Sequence, residues 1–112
     1  GLVGAGAMGA GIGQLAALRG YEVAIREIDA PAARAGNDRV NQLIDDLAAR
    51  KRWSSKKADR LRSKIQITCD ESLLDQCDLV IEAVVERQDV KNKVVVYRRF
   101  REQKSAILAA FI

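Results

Sequence analysis

Six residues near the start of the chain, Gly4-Ala5-Gly6-Ala7-Met8-Gly9, constrain it more than any others. The glycines stand in G-x-G-x-x-G spacing. They follow the apolar pair Leu2-Val3 and open a segment in which Met8, Ile12, Leu15 and Leu18 recur at helical spacing, closed by Gly20. A glycine weakens a regular element by about 0.5–1 kcal/mol relative to alanine, so glycines at this density mark a backbone that turns tightly or is approached closely. In a strand–turn–helix setting, Gly4 permits the turn, Gly6 lets an anion come close, and Gly9 lets the helix pack on the strand. The first N–H groups of such a helix have no partner, and its dipole favours an anion by about 0.3–1 kcal/mol. Small residues here also serve plain helix packing, and the hexapeptide alone does not separate the two readings.

Glu27 favours the anion-binding reading. It ends the alternating segment Glu22–Glu27, a second strand, 21 residues beyond Gly6. A carboxylate there accepts the ribose hydroxyls of an adenosine, through charge-assisted bonds of about 1.5–3 kcal/mol each, and repels a 2′-phosphate. The turn therefore reads as a pyrophosphate cradle for NAD rather than NADP, with Gly4, Ala5, Gly6, Ala7, Met8, Gly9 and Glu27 as the cofactor-binding set. Arg26, next to Glu27, softens that discrimination, and FAD uses a similar turn. Asp29 competes for the ribose role but fits better as the N-cap of the next helix, with Pro31 in its first turn.

Beyond Asp29, the stripe Val40, Leu43, Ile44 and Leu47 predicts an amphipathic helix. Ser54 or Ser55 caps a short basic helix to about Lys64. Ile65–Thr68 and Leu79-Val80-Ile81 read as strands, the second buried on both faces, which makes Glu82 a structural carboxylate in need of a partner. A helix is expected from about Asp89, with Val90, Val94 and Tyr97 on one side, then a last strand over residues 106–110. This order predicts an α/β fold of the Rossmann type, a doubly wound, mainly parallel sheet with a helical excursion between strands 2 and 3.

The 112 residues suit one domain. No apolar run is long enough to span a bilayer, and no secretory signal pattern is present. Cys69 and Cys77 lack metal spacing and suit a reducing, cytoplasmic setting. The net charge of +4 is uneven: Arg50, Lys51, Arg52, Lys56, Lys57, Arg60, Arg62 and Lys64 face Asp59 alone. Trp53 is the single aromatic residue in that stretch, which argues against nucleic-acid binding, where stacking platforms interleave several.

The segments GLVGAGAMGAGIGQLAALRGYEVAIREID and DLVIEAVVERQDVKNKVV together resemble the NAD-binding domain of the L-3-hydroxyacyl-CoA dehydrogenase family. The R-E-I-D ending of the second strand is similar to the dehydrogenase segment of the fatty-acid oxidation complex alpha subunit. Thirty-seven residues between Glu27 and Ile65 leave room for the long helical excursion of that family. The resemblance implies oxidation of a (3S)-3-hydroxyacyl-CoA to the 3-oxoacyl-CoA in fatty-acid β-oxidation, with hydride passing to NAD. It places Glu86 and Lys91 near the nicotinamide half of the cofactor. It also puts the basic stretch toward the polyanionic acyl-CoA, with Arg50 as the nominated substrate contact. Plain readings stand beside these: a first-turn acid favoured by a helix dipole for Glu86, a solvated helix charge for Lys91, and a solvated face for the basic stretch.

The family takes up the hydroxyl proton on a histidine supported by a glutamate. The chain contains no histidine. Residues 1–112 are thus expected to be the NAD-binding domain without the helical domain that carries that base and the dimer contacts. The whole protein is expected as a homodimer or as part of a multienzyme complex. The family continues from I-L-A into Asn-Thr-Ser-Ser, whereas Ala110 is followed here by Phe111-Ile112. That departure keeps open a second class, a non-catalytic dinucleotide-binding regulatory module.

Overall fold

The computed structural model describes residues 1–86, 91–100 and 103–111. Strand β1 (Leu2–Val3) enters helix α1 (Ala7–Leu18), followed by β2 (Val23–Arg26), the long helix α2 (Ala30–Lys51), the short helix α3 (Ser55–Arg62) and β3 (Ile65–Thr68). A 3₁₀ turn over Glu71–Gln76 leads to β4 (Leu79–Glu86), β5 (Lys91–Phe100) and β6 (Gln103–Phe111). The sheet order is β3-β2-β1-β4-β5-β6, with β1 to β4 parallel. After β3 the chain returns to the far side of β1, so the strand order reverses between β1 and β4. In open α/β sheets, ligands bind beyond the carboxyl ends of the strands at such a reversal.

Local chemistry accounts for the boundaries. Asp29 caps α2 by accepting the Ala32 N–H at 2.8 Å, with Pro31 in the first turn. Ser54, not Ser55, caps α3 by accepting the Lys57 N–H at 3.2 Å. Gly20, at φ 94°, ends α1 in the left-handed conformation that a side chain resists. Asp70 accepts the Ser72 N–H at the start of the 3₁₀ turn, and that bond holds its carboxyl below the usual value. The α2 stripe falls as expected, with Val40, Ile44 and Leu47 buried against Leu2, Ile25 and Leu61 in the core.

Helix α1 packs on the sheet through Gly9, Ala10, Gly13 and Ala17, with Ile12 against the core, and leaves Leu15 55% and Leu18 39% exposed. The reason is distance. A Cβ on Gly13 would sit 3.1 Å from Ile25 Cδ1 and 3.2 Å from Leu2 Cδ1, so the helix lies too low for a bulky face. Two expectations fail. First, β4 is not buried on both faces at its start: Leu79 is exposed, Val80 buried, and Glu82 half-buried opposite Val3.

Second, the helix expected from about Asp89 does not form over residues 91–100. Residues 91–100 form β5, antiparallel to β4, and β6 pairs antiparallel with β5 rather than adding a parallel strand. Val94-Val95-Val96, followed by Tyr97 and Phe100, favours extended backbone. Four residues separate β4 from β5, and a parallel partner needs a crossover of a dozen or more. Val90 and Asp89 lie outside the described residues.

Candidate functional site

The glycine turn sits at the carboxyl end of β1, on the reversal side of the sheet. Gly4, at φ 91°, takes a left-handed conformation, and its N–H donates to the Arg26 carbonyl at 2.9 Å, tying the turn to the end of β2. A Cβ on Gly9 would stand 2.0 Å from the Gly4 carbonyl oxygen, so the third glycine is needed for the first to turn. Gly6 differs. It is exposed, and a Cβ there would meet nothing within 4 Å. That open space is what a pyrophosphate needs.

Gly6 is also the N-cap of α1, without a side-chain cap and with no acidic residue in the first turn. The first helical bond runs from the Ala10 N–H to the Gly6 carbonyl at 2.8 Å. The N–H groups of Ala7, Met8 and Gly9 therefore have no intrahelical acceptor, and they point out of the helix start toward the space above Gly6. Glu27 lies against this turn: its Oε1 accepts the Ala5 N–H, and its Oε2 accepts the Ile28 N–H at 3.3 Å. The acid is half-buried, with one oxygen engaged by the turn and the other near solvent. Asp29 is occupied by its cap, and Glu27 is the acid that lies against the turn.

The remaining predicted residues lie apart. Glu86 ends β4, four residues beyond the Glu82 level at which β1 pairs, and so at the same end of the sheet as the turn. Lys91 opens β5 and pairs with Glu86 in register; it stands on a strand, not on the helix that the sequence reading gave it. Arg50, exposed in the last turn of α2, borders a shallow hollow of about 500 Å³ with Gln14, Leu43, Asp46 and Ala49. Eleven residues of helix, about 16 Å of rise, separate it from Arg39, the α2 residue that bonds the Ala5 carbonyl of the turn, so the structure does not bring Arg50 to the glycine turn. The basic stretch is not uniformly free. Arg62 binds Asn41 at 3.2 Å, Asp59 at 2.8 Å, and Asp45. Lys57 lies 4.5 Å from the centre of the Trp53 ring.

A larger hollow of about 770 Å³ opens at the opposite end of the sheet, between α1 and the amino ends of the strands, lined by Ile12, Leu15, Tyr21, Cys77 and Leu79 among others. Its position is the wrong one for the chemistry of an open α/β sheet. Among the described residues, no group of His, Cys, Asp and Glu could hold a metal ion, and no helix is long and apolar enough to cross a membrane.

Two residues that sequence reasoning missed complete the turn from behind. Arg39 Nη1 donates to the Ala5 carbonyl at 3.1 Å, and a Cβ on Gly36 would fall 2.4 Å from Ala5 Cβ. A glycine inside a helix costs about 1 kcal/mol, and that cost was the available sign of a close approach at Gly36. Nothing local marked Arg39, whose partner is 34 residues away.

A tight turn beside open space, unpaired helix-start donors and an acid held at the end of the adjacent strand define a dinucleotide-binding α/β domain. Comparison with known proteins gives the family: residues 1–110 match "3-hydroxyacyl-CoA dehydrogenase, NAD binding domain", so the chain belongs to that family and NAD is its cofactor. A 3-hydroxybutyryl-CoA dehydrogenase of Bradyrhizobium diazoefficiens is 33% identical over 94 residues, 84% of this chain and 32% of that protein. The crystal structure of FadB2 of Mycobacterium tuberculosis superposes with a TM-score of 0.71 at 34% identity, covering 80% of this chain and 31% of the other. That of (S)-3-hydroxybutyryl-CoA dehydrogenase from Ralstonia eutropha gives 0.70 at 30% identity, covering 77% and 30%. The chain spans about a third of the length of the curated relatives it matches.

Proposed function

We propose that this chain is the cofactor-holding domain of an enzyme that oxidises a (3S)-3-hydroxyacyl-CoA to the 3-oxoacyl-CoA. The observation that carries the reading is the bond between Glu27 and the Ala5 N–H, which joins the ribose acid to the phosphate turn. In this reading the N–H groups at the start of α1 receive the pyrophosphate above Gly6, while Glu27 accepts the adenosine ribose through the oxygen nearer solvent. Glu86 and Lys91, at the carboxyl end of β4 and the start of β5, serve the nicotinamide half. Oxidation removes a hydride from C3 and a proton from its hydroxyl, and bound NAD supplies the hydride acceptor.

The chain has no histidine to take the proton, and its family relatives extend well beyond the matched region. The base, the dimer contacts and most of the acyl pocket belong, on this reading, to a second domain. Two of the three relatives compared above are named as 3-hydroxybutyryl-CoA dehydrogenases, which makes a short acyl chain the first substrate to try, ahead of the longer chains of fatty-acid β-oxidation. Arg50, exposed and cationic, is the nominated contact for the CoA phosphates. The cytoplasm is the proposed setting, in keeping with the unpaired Cys69 and Cys77.

Calorimetric titration of the 112-residue chain with NADH, and with NADPH as control, tests the reading. Saturable binding of NADH, tighter than that of NADPH, supports it; no binding of NADH to the folded chain overturns it.

A further inference from the structure

Behind the glycine turn, two consecutive peptide units are each held by a charged side chain from a different element. Glu27, from the end of β2, accepts the Ala5 N–H, which belongs to the Gly4–Ala5 peptide. Arg39, from α2, donates through Nη1 at 3.1 Å to the Ala5 carbonyl, which belongs to the Ala5–Gly6 peptide. Ala5 itself is wholly buried. Gly36, one turn before Arg39 on the same face of α2, lets the helix backbone come in against Ala5, since a Cβ there would fall 2.4 Å from the Ala5 methyl.

A trans peptide is planar, so holding its carbonyl oxygen fixes its N–H in the opposite direction. The N–H opposite the Ala5 carbonyl is that of Gly6, the residue at which a Cβ would meet nothing within 4 Å. We propose that Arg39 is a positioning residue of the dinucleotide site: by holding the Ala5 carbonyl, it aims the Gly6 N–H at the pyrophosphate and prevents that peptide from rotating. The guanidinium also polarises the peptide it binds, which strengthens the N–H on the other side as a donor. The proposal rests on the reading that this turn holds a pyrophosphate.

The test uses the 112-residue chain with Arg39→Ala and Arg39→Lys, titrated with NADH, ADP and adenosine. Arg39→Ala is expected to weaken NADH and ADP about ten-fold, the scale of one hydrogen bond from a charged donor, and to leave adenosine unchanged. Arg39→Lys, which retains a charged donor, is expected to recover most of the loss. The Gly6 amide resonance of the free protein is expected to move in Arg39→Ala and to return in Arg39→Lys. Should Arg39→Ala lower the melting temperature, Arg39→Met keeps the aliphatic packing without the donor and is expected to show the same loss. Unchanged NADH affinity, an equal loss for adenosine, or failure of lysine to recover binding overturns the role of Arg39 while leaving the cofactor site in place. A parent chain that takes up no NADH overturns the cofactor reading, and Arg39 with it.

Discussion

The Glu27 carboxylate accepts the Ala5 backbone N–H, so the acid at the end of β2 and the turn at the end of β1 form one unit. Replacing Glu27 is therefore expected to have two effects: the ribose of the proposed site loses its acceptor, and the N–H of the buried Ala5 loses its partner. Glu27→Ala is expected to weaken NADH binding by about 1.5–3 kcal/mol and to narrow the preference over NADPH. Glu27→Gln keeps an oxygen for the Ala5 N–H, so it is expected to retain the melting temperature while losing the charge that rejects a 2′-phosphate. Calorimetry with both cofactors separates the effects, and equal NADH affinity in Glu27→Ala and parent removes Glu27 from the site.

Gly6→Val is expected to abolish measurable NADH binding while leaving the fold intact. The backbone at Gly6 has φ −67°, open to any residue, and its Cβ would enter empty space. Thermal unfolding and NADH titration on the same sample check this: binding at parental affinity by the folded variant contradicts a pyrophosphate above Gly6.

Gly36→Ala sets helix propensity against packing. Alanine favours the interior of α2 by about 1 kcal/mol. Its methyl would stand 2.4 Å from Ala5 Cβ, so α2 must move away from the turn. Overpacking of this kind costs about 1–3 kcal/mol, and the variant is expected to be less stable than the parent in urea. A gain in stability instead means that α2 shifts freely.

Arg62→Ala tests the basic stretch. The Arg62 side chain is 29% exposed and joins α2 to α3 through Asn41, Asp45 and Asp59. Its partners are mostly solvated, which holds each ion pair to about 0–1 kcal/mol. The expected loss is about 1 kcal/mol in chemical denaturation, with NADH affinity unchanged. A fall in NADH affinity without loss of stability assigns Arg62 to the ligand instead.

Arg52 follows α2 at φ 53°, the left-handed conformation that costs a residue with a Cβ about 1–2 kcal/mol. Arg52→Gly is expected to raise stability by up to about 1 kcal/mol, read as a shift of the urea midpoint at constant slope. A midpoint that falls shows that the arginine makes a contribution its backbone conceals.

Much of the fold could be read in the sequence because its signals were local. Ile65–Thr68 forms the strand expected of it, Asp29 caps the helix it was read to cap, and Gly20 ends the first helix. The acid–turn pairing was also legible, from the spacing of Glu27 and Gly6. What escaped depends on distance in the chain or on closeness in space. The buried side of α1 is not marked in the sequence, because Leu15 and Leu18 carry the hydrophobic signal while the fully buried positions are glycine and alanine. Arg39 and Gly36 act on a residue more than thirty positions away. Residues 91–100 carry both a helical spacing and a run of valines, and the valines prevail.

The small-residue face of α1 has a further consequence for how affinity can change. Gly13 is two turns from the helix start, touches no cofactor in the proposed site, and sits 3.1 and 3.2 Å from Ile25 and Leu2 by the position of its absent Cβ. Because α1 behaves as a rod, anything that raises it at Gly13 also lifts the donors at Ala7, Met8 and Gly9. In the proposed site, the height of the rod over the sheet is therefore expected to adjust nucleotide affinity, through residues that an inspection of the binding site alone would pass over.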